Sequence, residues 1–175
     1  MLVCSAAFNV GQKVWAEHTA RLALLDHVGI CTLIAGSATP VLVFACAWRS
    51  SVVLWALMLL TIVAKAVGGP LDNIGLHVLS FVFGPLLTYV SSIGAVRATL
   101  QPWQLRLIWT AGAFYIGGLA PWAIRQIEFH VAIWHVCVVC GSAAIFAVVY
   151  PQVDTPAEVE ALETRIWSDS CAIQT

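Results

Sequence analysis

Charged residues are scarce in this sequence. Lysine and arginine together number 8 and aspartate and glutamate 9 among 175 residues, so charged side chains make up 10% of the chain and the net charge is −1. An ordinary soluble domain has about 25% charged residues. With 61% hydrophobic residues, the chain has more apolar surface than a soluble fold of this length could bury, which predicts that it lies in a membrane. The lack of a basic surplus argues against nucleic acid as a partner.

A cysteine framework for a metal is also lacking. Cys137 and Cys140 form a CxxC pair, but it lies inside a predicted helix and no second pair accompanies it. Five of the six cysteines lie in apolar runs, where a thiol usually acts as a small buried hydrophobe. We therefore expect neither a zinc ribbon nor a thioredoxin-like centre.

What the sequence has is long apolar runs. Five segments are long enough to cross a bilayer, which takes about twenty apolar residues: residues 26–47, 50–67, 73–96, 105–124 and 129–150. The first apolar stretch, MLVCSAAF, is too short to cross and has no lysine or arginine before it, so it is not typical of a signal peptide. We predict an all-α, polytopic transmembrane helix bundle of about five full spans plus an N-terminal partial helix.

The chain changes character after residue 150. Residues 1–150 are predicted to form the transmembrane domain, and residues 151–175 an acidic, solvent-exposed tail that holds five of the nine acidic residues. Within it, Thr155, Pro156 and Glu158 have the spacing of a helix N-cap, first helical residue and capping box. Apolar residues then recur at helical spacing, so a short amphipathic helix is expected.

Basic residues indicate the orientation. We define side A as the membrane side that holds the loop of residues 11–18, and side B as the other. Counting crossings places Lys13, Arg21, Lys65 and Arg125 on side A, and Arg49, Arg97, Arg106 and the acidic tail on side B. The positive-inside rule then makes side A cytoplasmic. We expect a protein of the bacterial inner (plasma) membrane, with its C-terminal tail on the opposite side.

Ionisable residues in membrane segments are candidate functional groups, because each costs about 2.5–3.5 kcal/mol to insert. Asp26 and His27 open the first predicted span, His77 lies within the third, and His130 and His135 open the last. Crossing parity brings Asp26, His130, His135 and Asn9 of the partial helix near side A, where they could hold a cation or polarise a water molecule. Alternatively, Asp26 is a favourable charge at a helix start and the histidines face water.

Helical spacing ranks these candidates. His130 and His135 are five residues apart, which turns them about 140° from one another. Ligands on one helix face would be four apart, as in HExxH, and the residue four before His135 is Val131. We therefore rank His135 above His130. His27 points about 100° away from Asp26, so we rank it below Asp26.

Three motifs resemble one family. LLDHVGICTLIAGSATP, residues 24–40, resembles the LDHxxIxxLIAGxxTP signature of the hemolysin III family, which is related to the progestin and adipoQ receptors. HVAIWHVCVV, residues 130–139, is similar to that family's HxAIWHxFVL ending, and SAAFN, residues 5–9, matches the position of its SxxxH segment. The resemblance covers about residues 1–150. Against the family pattern, the chain lacks the first helix and most of the second.

The resemblance implies seven helices and a zinc site near the cytoplasmic face, built from a serine, an aspartate and three histidines. Carried over, the serine is Ser5, the aspartate is Asp26 and the last histidine is His135. Asn9 and Val131 stand where the typical member has histidine, and His130 is one residue out of register. Since catalytic zinc normally has three protein ligands, we expect weak or no zinc affinity.

The function implied by the resemblance is a metal-dependent lipid hydrolase. Its catalytic residues would be Asp26 and Ser5, and its metal ligands the incomplete set of His135, Asn9 and His130. The alternatives are a non-enzymatic pore-forming hemolysin, a protein of membrane-lipid homeostasis or sensing, and an inactive shortened member. A pore would need rings of polar side chains, whereas these spans are nearly uniformly apolar. Membrane lipids are the expected partners, and whether the protein is an enzyme stays open.

Overall fold

Helices alone make up the regular structure of the described part of the chain. The computed structural model describes residues 1–68, 75, 79–124 and 126–166. The helices are α1 (Leu2–Val14), α2 (Thr19–Phe44), α3 (Trp48–Ala66), α4 (Gly84–Thr99), α5 (Pro102–Ala123), α6 (His130–Val149) and α7 (Pro156–Ile166). Short 3-10 turns occupy Ala16–His18 and Tyr150–Gln152, and a π-helical turn, Leu79–Phe83, leads into α4. The prediction of an all-α bundle is confirmed.

Four stretches are long and apolar enough to cross a membrane: Ala16–Phe44, Trp48–Ala66, Leu79–Thr99 and His130–Gln152. They correspond to four of the five predicted spans, and α1, with 13 residues, is a partial helix as expected. The fifth predicted span corresponds to α5, whose 22 residues give a length of about 33 Å at 1.5 Å per residue. Polar residues such as Gln104 and Arg106 lower the mean hydropathy of α5, and it is not among the four stretches named above. That α5 crosses the membrane therefore stays a prediction.

Helix α2 begins seven residues before the predicted start of the first span. The polar residues that follow α1 form the Ala16–His18 turn and then continue into α2 without a break. Asp26 is therefore the eighth residue of α2 and lies in its interior. A helix dipole acts only within the first turn, so the reading of Asp26 as a helix-start charge does not apply.

The chain divides into two compact units. Unit 1 comprises Met1–Gly36 and Val52–Tyr89, and unit 2 comprises Ser37–Ser51 and Val90–Thr175. In unit 1, α1 packs against the first part of α2, and the first residue of α4, Gly84, lies near Met58 of α3. A Cβ placed on Gly84 would be 3.5 Å from the Met58 Cε atom, which is ordinary van der Waals contact.

In unit 2, α5 and α6 form a closely packed hairpin. The Tyr115 ring lies against Gly141, and its hydroxyl is 3.0 Å from the Ser142 Oγ atom. Gln104, which is 1% exposed, donates its Nε2 hydrogen to the Val148 carbonyl at 3.1 Å and so satisfies a buried amide within the hairpin. These polar pairs remove the cost of unpaired groups in an apolar environment.

Hydroxyl groups join the helix ends of unit 2. Ser92 of α4 donates to Ser50 of α3 at 2.6 Å, and Ser51 donates to Thr39 of α2 at 3.3 Å. Small hydroxyl residues allow close approach of helices and bond across the interface. Three helices are thereby linked within this unit.

The start of α7 matches its prediction. The Thr155 backbone N–H donates to the Glu158 carboxylate at 2.9 Å, and the Glu158 N–H donates to the Thr155 hydroxyl at 3.3 Å. The capping box is therefore confirmed, with Pro156 as the first residue of the helix. Residues 167–175 of the predicted tail lie outside the described residues.

Among the α5 glycines Gly112, Gly117 and Gly118, only Gly118 lies in close contact with another helix. A Cβ on Gly118 would lie 2.8 Å from the Cys137 Cβ atom, whereas Gly112 and Gly117 have nothing within 4 Å. We expect Gly118→Ala to destabilise the protein by about 1–3 kcal/mol through overpacking, seen as a lower Tm in detergent. The matched variant Gly112→Ala should keep the Tm or raise it, since alanine favours helix. Equal Tm values would contradict the hairpin packing.

Candidate functional site

A close contact between α1 and α2 organises the polar residues of unit 1. A Cβ on Gly11 would lie 2.6 Å from the Leu22 Cδ1 atom, and one on Gly29 would lie 3.0 Å from the Cys4 Cβ atom. Since the earlier residue of α1 meets the later residue of α2, the two helices are antiparallel. Leu22, Asp26 and Gly29 are spaced i, i+4, i+7, which places Asp26 on the stripe of α2 that faces α1.

The same two contacts fix the level of Asp26. Cys4 of α1 meets Gly29 of α2. Ala7 lies three residues after Cys4 and Asp26 lies three residues before Gly29, so Ala7 and Asp26 are at the same level of the antiparallel pair. Counting four residues inward from Gly11 and Leu22 reaches the same pair. Ala7 lies midway between Ser5 and Asn9, so Asp26 is level with the two polar residues of α1.

Ser5 and Asn9 are joined by hydrogen bonds. The Asn9 Nδ2 group donates to the Ser5 carbonyl at 2.8 Å and approaches the Ser5 hydroxyl at 3.4 Å. Ser5 is 4% exposed, Asn9 is half-buried, and the Oδ1 atom of Asp26 is buried. The structure thus places the three predicted residues Ser5, Asn9 and Asp26 at one level of unit 1, while their roles stay predictions.

His27 is more prominent than the sequence reasoning suggested. It is 7% exposed, its Nδ1 atom is 2.7 Å from the Ala23 carbonyl, and its ring centroid is 6.1 Å from that of Phe81. The angle between His27 and Asp26 around the helix gives no information about this burial. His27 shares an inward face of α2 with the buried residues Cys31 and Ala35, at i+4 and i+8, and only the packing of the helices shows that this face is buried.

The two candidate histidines of α6 lie in unit 2. The Nδ1 atom of His130 is 3.0 Å from the Ile127 carbonyl, and that of His135 is 2.7 Å from the Val131 carbonyl. A carbonyl only accepts, so each ring donates from Nδ1, and Nε2 is the nitrogen left to bind another group. The His135 Nε2 atom is buried and has no hydrogen-bond partner among the described residues. This is the orientation that a metal-binding histidine needs.

The remaining donors do not complete a zinc centre. Within residues 1–68, 75, 79–124 and 126–166, no three His, Cys, Asp or Glu residues lie close enough to hold a metal ion. A catalytic zinc normally has three protein ligands and an open position; here Asn9 offers only an amide oxygen. His77 lies outside the described residues. The predicted convergence of His130 and His135 with the unit 1 residues stays a prediction.

The cysteines are of two kinds. Cys4, Cys31, Cys137 and Cys140 are free thiols, so the CxxC pair is not bridged. Cys46 differs, because it is disulfide-bonded. It follows the side B end of α2 and has a left-handed backbone, with φ of 55°. The expectation that thiols in apolar runs act as small hydrophobes is therefore wrong for Cys46.

Comparisons with known proteins agree with these features. The family model described as Haemolysin-III related matches residues 1–146. The Hemolysin-3 homolog of Bacillus subtilis (strain 168) is 31% identical over 129 residues, covering 71% of this chain and 60% of that protein. The chain thus spans about 60% of the length of this curated relative. No solved structure matches.

The antiparallel register of α1 and α2 can be tested by cross-linking. A Cβ at position 29 would lie 3.0 Å from the Cys4 Cβ atom, close to the Cβ–Cβ distance of about 3.8 Å in disulfides. We expect Gly29→Cys to form a disulfide with Cys4 under mild oxidation, so that trypsin cleavage at Lys13 and Arg21 leaves the two peptides linked. The control Gly36→Cys, whose position has nothing within 4 Å, should not cross-link to Cys4. A linked control, or an unlinked Gly29→Cys protein, would contradict the register.

Proposed function

Because the chain belongs to the Haemolysin-III related family of integral membrane proteins, we propose that it hydrolyses a membrane lipid at a site formed by Ser5, Asn9 and Asp26. The observation that supports this most is the α1–α2 register, which puts Asp26 level with the Ser5–Asn9 pair. A carboxylate, a hydroxyl and an amide at one level are the groups that acyl hydrolysis uses.

Each group has a chemical role in the proposed reaction. The Asp26 carboxylate takes a proton from a water molecule as the water oxygen bonds to the acyl carbon. The Ser5 hydroxyl donates a hydrogen bond to the oxyanion that develops on the carbonyl oxygen. Asp26 then returns the proton to the leaving amine or alkoxide as the acyl bond breaks. Asn9 positions Ser5 through its 2.8 Å bond to the Ser5 carbonyl.

No step of this proposal runs through zinc. The resemblance to the family implies a metal, but the donor set described above does not fit a centre with three protein ligands. His135 alone among the predicted ligands presents a buried imidazole nitrogen in the metal-binding orientation. Weak or no zinc affinity therefore remains the expectation for this chain.

We further propose that side A faces the cytoplasm of a bacterium. The loop between α1 and α2 lies on side A, and Cys46 follows the opposite end of α2. Disulfides persist in oxidising compartments and are rare in the cytosol, so the disulfide at Cys46 supports an extracytoplasmic side B. This agrees with the positive-inside assignment and would put Ser5, Asn9 and Asp26 nearer the cytoplasmic face.

The catalytic proposal predicts a specific loss of activity. Purified protein in lipid nanodiscs should release product from ceramide or phospholipid, and Asp26→Asn should lower the rate by about 10²–10⁴-fold because a general base is lost. The control is Glu17→Gln, which removes a carboxylate that is 79% exposed and should leave the rate unchanged. Wild-type protein that turns over neither lipid would favour a sensor or an inactive member.

The orientation predicts which positions react with an impermeant thiol reagent. In a background with all native cysteines replaced by alanine, Gln101→Cys, in the turn between α4 and α5 on side B, should be labelled in intact cells. Glu17→Cys, in the side A turn, should be labelled only after the membrane is opened. The reverse pattern would show that side B is cytoplasmic.

A further inference from the structure

A hydrogen-bonded turn closes the end of α2, and Cys46 occupies its left-handed position. The Ala47 N–H donates to the Leu42 carbonyl at 2.8 Å, and the Cys46 N–H donates to the Val43 carbonyl at 3.0 Å. These two bonds form a Schellman motif, whose left-handed residue is usually glycine. Here that residue is Cys46, with φ of 55°. A side chain is strained in this backbone region, so the position favours glycine unless the sulfur itself contributes to the structure.

The sulfur of Cys46 does contribute, because it is disulfide-bonded. The other cysteines within residues 1–68, 75, 79–124 and 126–166 are free thiols: Cys4, Cys31, Cys137 and Cys140. The sequence has six cysteines, and the sixth is Cys171, which lies outside the described residues. Within one chain, Cys171 is therefore the cysteine that is left to pair with Cys46.

The chain from α7 to Cys171 is short. Helix α7 ends at Ile166, and the five residues from there to Cys171 span at most about 18 Å when fully extended. A disulfide joins Cα atoms that are about 5.5–6 Å apart. A bond between Cys171 and Cys46 would therefore keep the end of α7 within about 24 Å of the turn after α2. This turn and α7 both belong to unit 2, and crossing parity puts both on side B.

We infer that Cys46 and Cys171 form a disulfide that fastens the acidic tail to the side B end of α2. The bond forms by exchange with the disulfide of an extracytoplasmic thiol oxidant. Two protons and two electrons pass from the cysteine thiols to the oxidant, whose own disulfide becomes a pair of thiols. The tail then has two attachments, the peptide chain after α6 and the disulfide, so α7 is held in place only while the bond is oxidised. The inference does not depend on the proposed hydrolysis.

Peptide mapping tests the pairing. The protein is purified from its membrane without reductant, its free thiols are blocked with N-ethylmaleimide, and it is cut with trypsin. Cleavage after Arg21, Arg49 and Arg165 should leave residues 22–49 joined to residues 166–175, and a reductant should separate the two peptides. Separate peptides whose thiols are all blocked, or two copies of residues 22–49 joined to each other, would overturn the pairing.

Two variants identify the bonded cysteine, because residues 22–49 contain both Cys31 and Cys46. Cys31→Ser should keep the linked peptides, and Cys46→Gly should lose the link completely. Glycine suits the left-handed position, so Cys46→Gly removes the sulfur and leaves the turn after α2 intact. Linked peptides from the Cys46→Gly protein, or their loss from the Cys31→Ser protein, would overturn the inference.

Hydrogen exchange tests whether the bond holds the tail. Reduction of the wild-type protein in nanodiscs should cause a loss of amide protection in α7 and leave the protection of the α5–α6 hairpin unchanged. The Cys46→Gly protein should show the low α7 protection both with and without reductant. Equal α7 protection in the oxidised and reduced wild-type protein would overturn the inference that the disulfide holds this helix.

Discussion

Hydrocarbon offers no hydrogen-bond partner, so every backbone N–H and C=O group inside it must bond within the protein. This constraint explains why the described chain is helical nearly throughout. Side chains obey it too: Thr32 and Thr61 donate to the Val28 and Leu57 carbonyls at 2.8 and 2.9 Å, each four residues back on its own helix. The amide of Gln104 bonds to the Val148 carbonyl for the same reason. Polar groups in the spans are tolerated where the chain itself supplies partners.

Close helix contact follows from the same environment. Lipid tails are as apolar as leucine, so helices associate through packing and interhelical bonds rather than through burial from water. Gly29 meets Cys4 in unit 1, and Gly118 and Gly141 meet α5–α6 partners in unit 2. These contacts set the register of each helix pair. In unit 1 that register places Asp26 level with Ser5 and Asn9. The helix packing therefore also determines the geometry of the candidate site.

The sequence predicted the fold class well because long apolar runs leave few alternatives to membrane helices. It predicted local capping at Thr155 and Glu158 equally well, since both partners lie within one turn. The predicted first span starts seven residues later than α2, because an apolar run marks only the part of a helix that enters lipid, whereas α2 continues through the polar residues before Asp26. The burial of His27 and the disulfide at Cys46 could not be predicted, because both depend on residues distant in sequence. The spacing of Gly112, Gly117 and Gly118 could not show that only Gly118 faces α6.

Each of the three described spanning-helix histidines holds its ring by a bond to a carbonyl three or four residues earlier: His27 to Ala23, His130 to Ile127 and His135 to Val131. Both partners of each bond lie within four residues of one another, so the direction of the ring does not depend on a contact with another helix. The Nε2 atom could therefore bind and release an ion or a lipid group while the Nδ1 bond keeps the ring in place. Each imidazole is therefore held by its own stretch of chain. A movement of one helix relative to another would change what the Nε2 atom faces but would leave the Nδ1 bond in place.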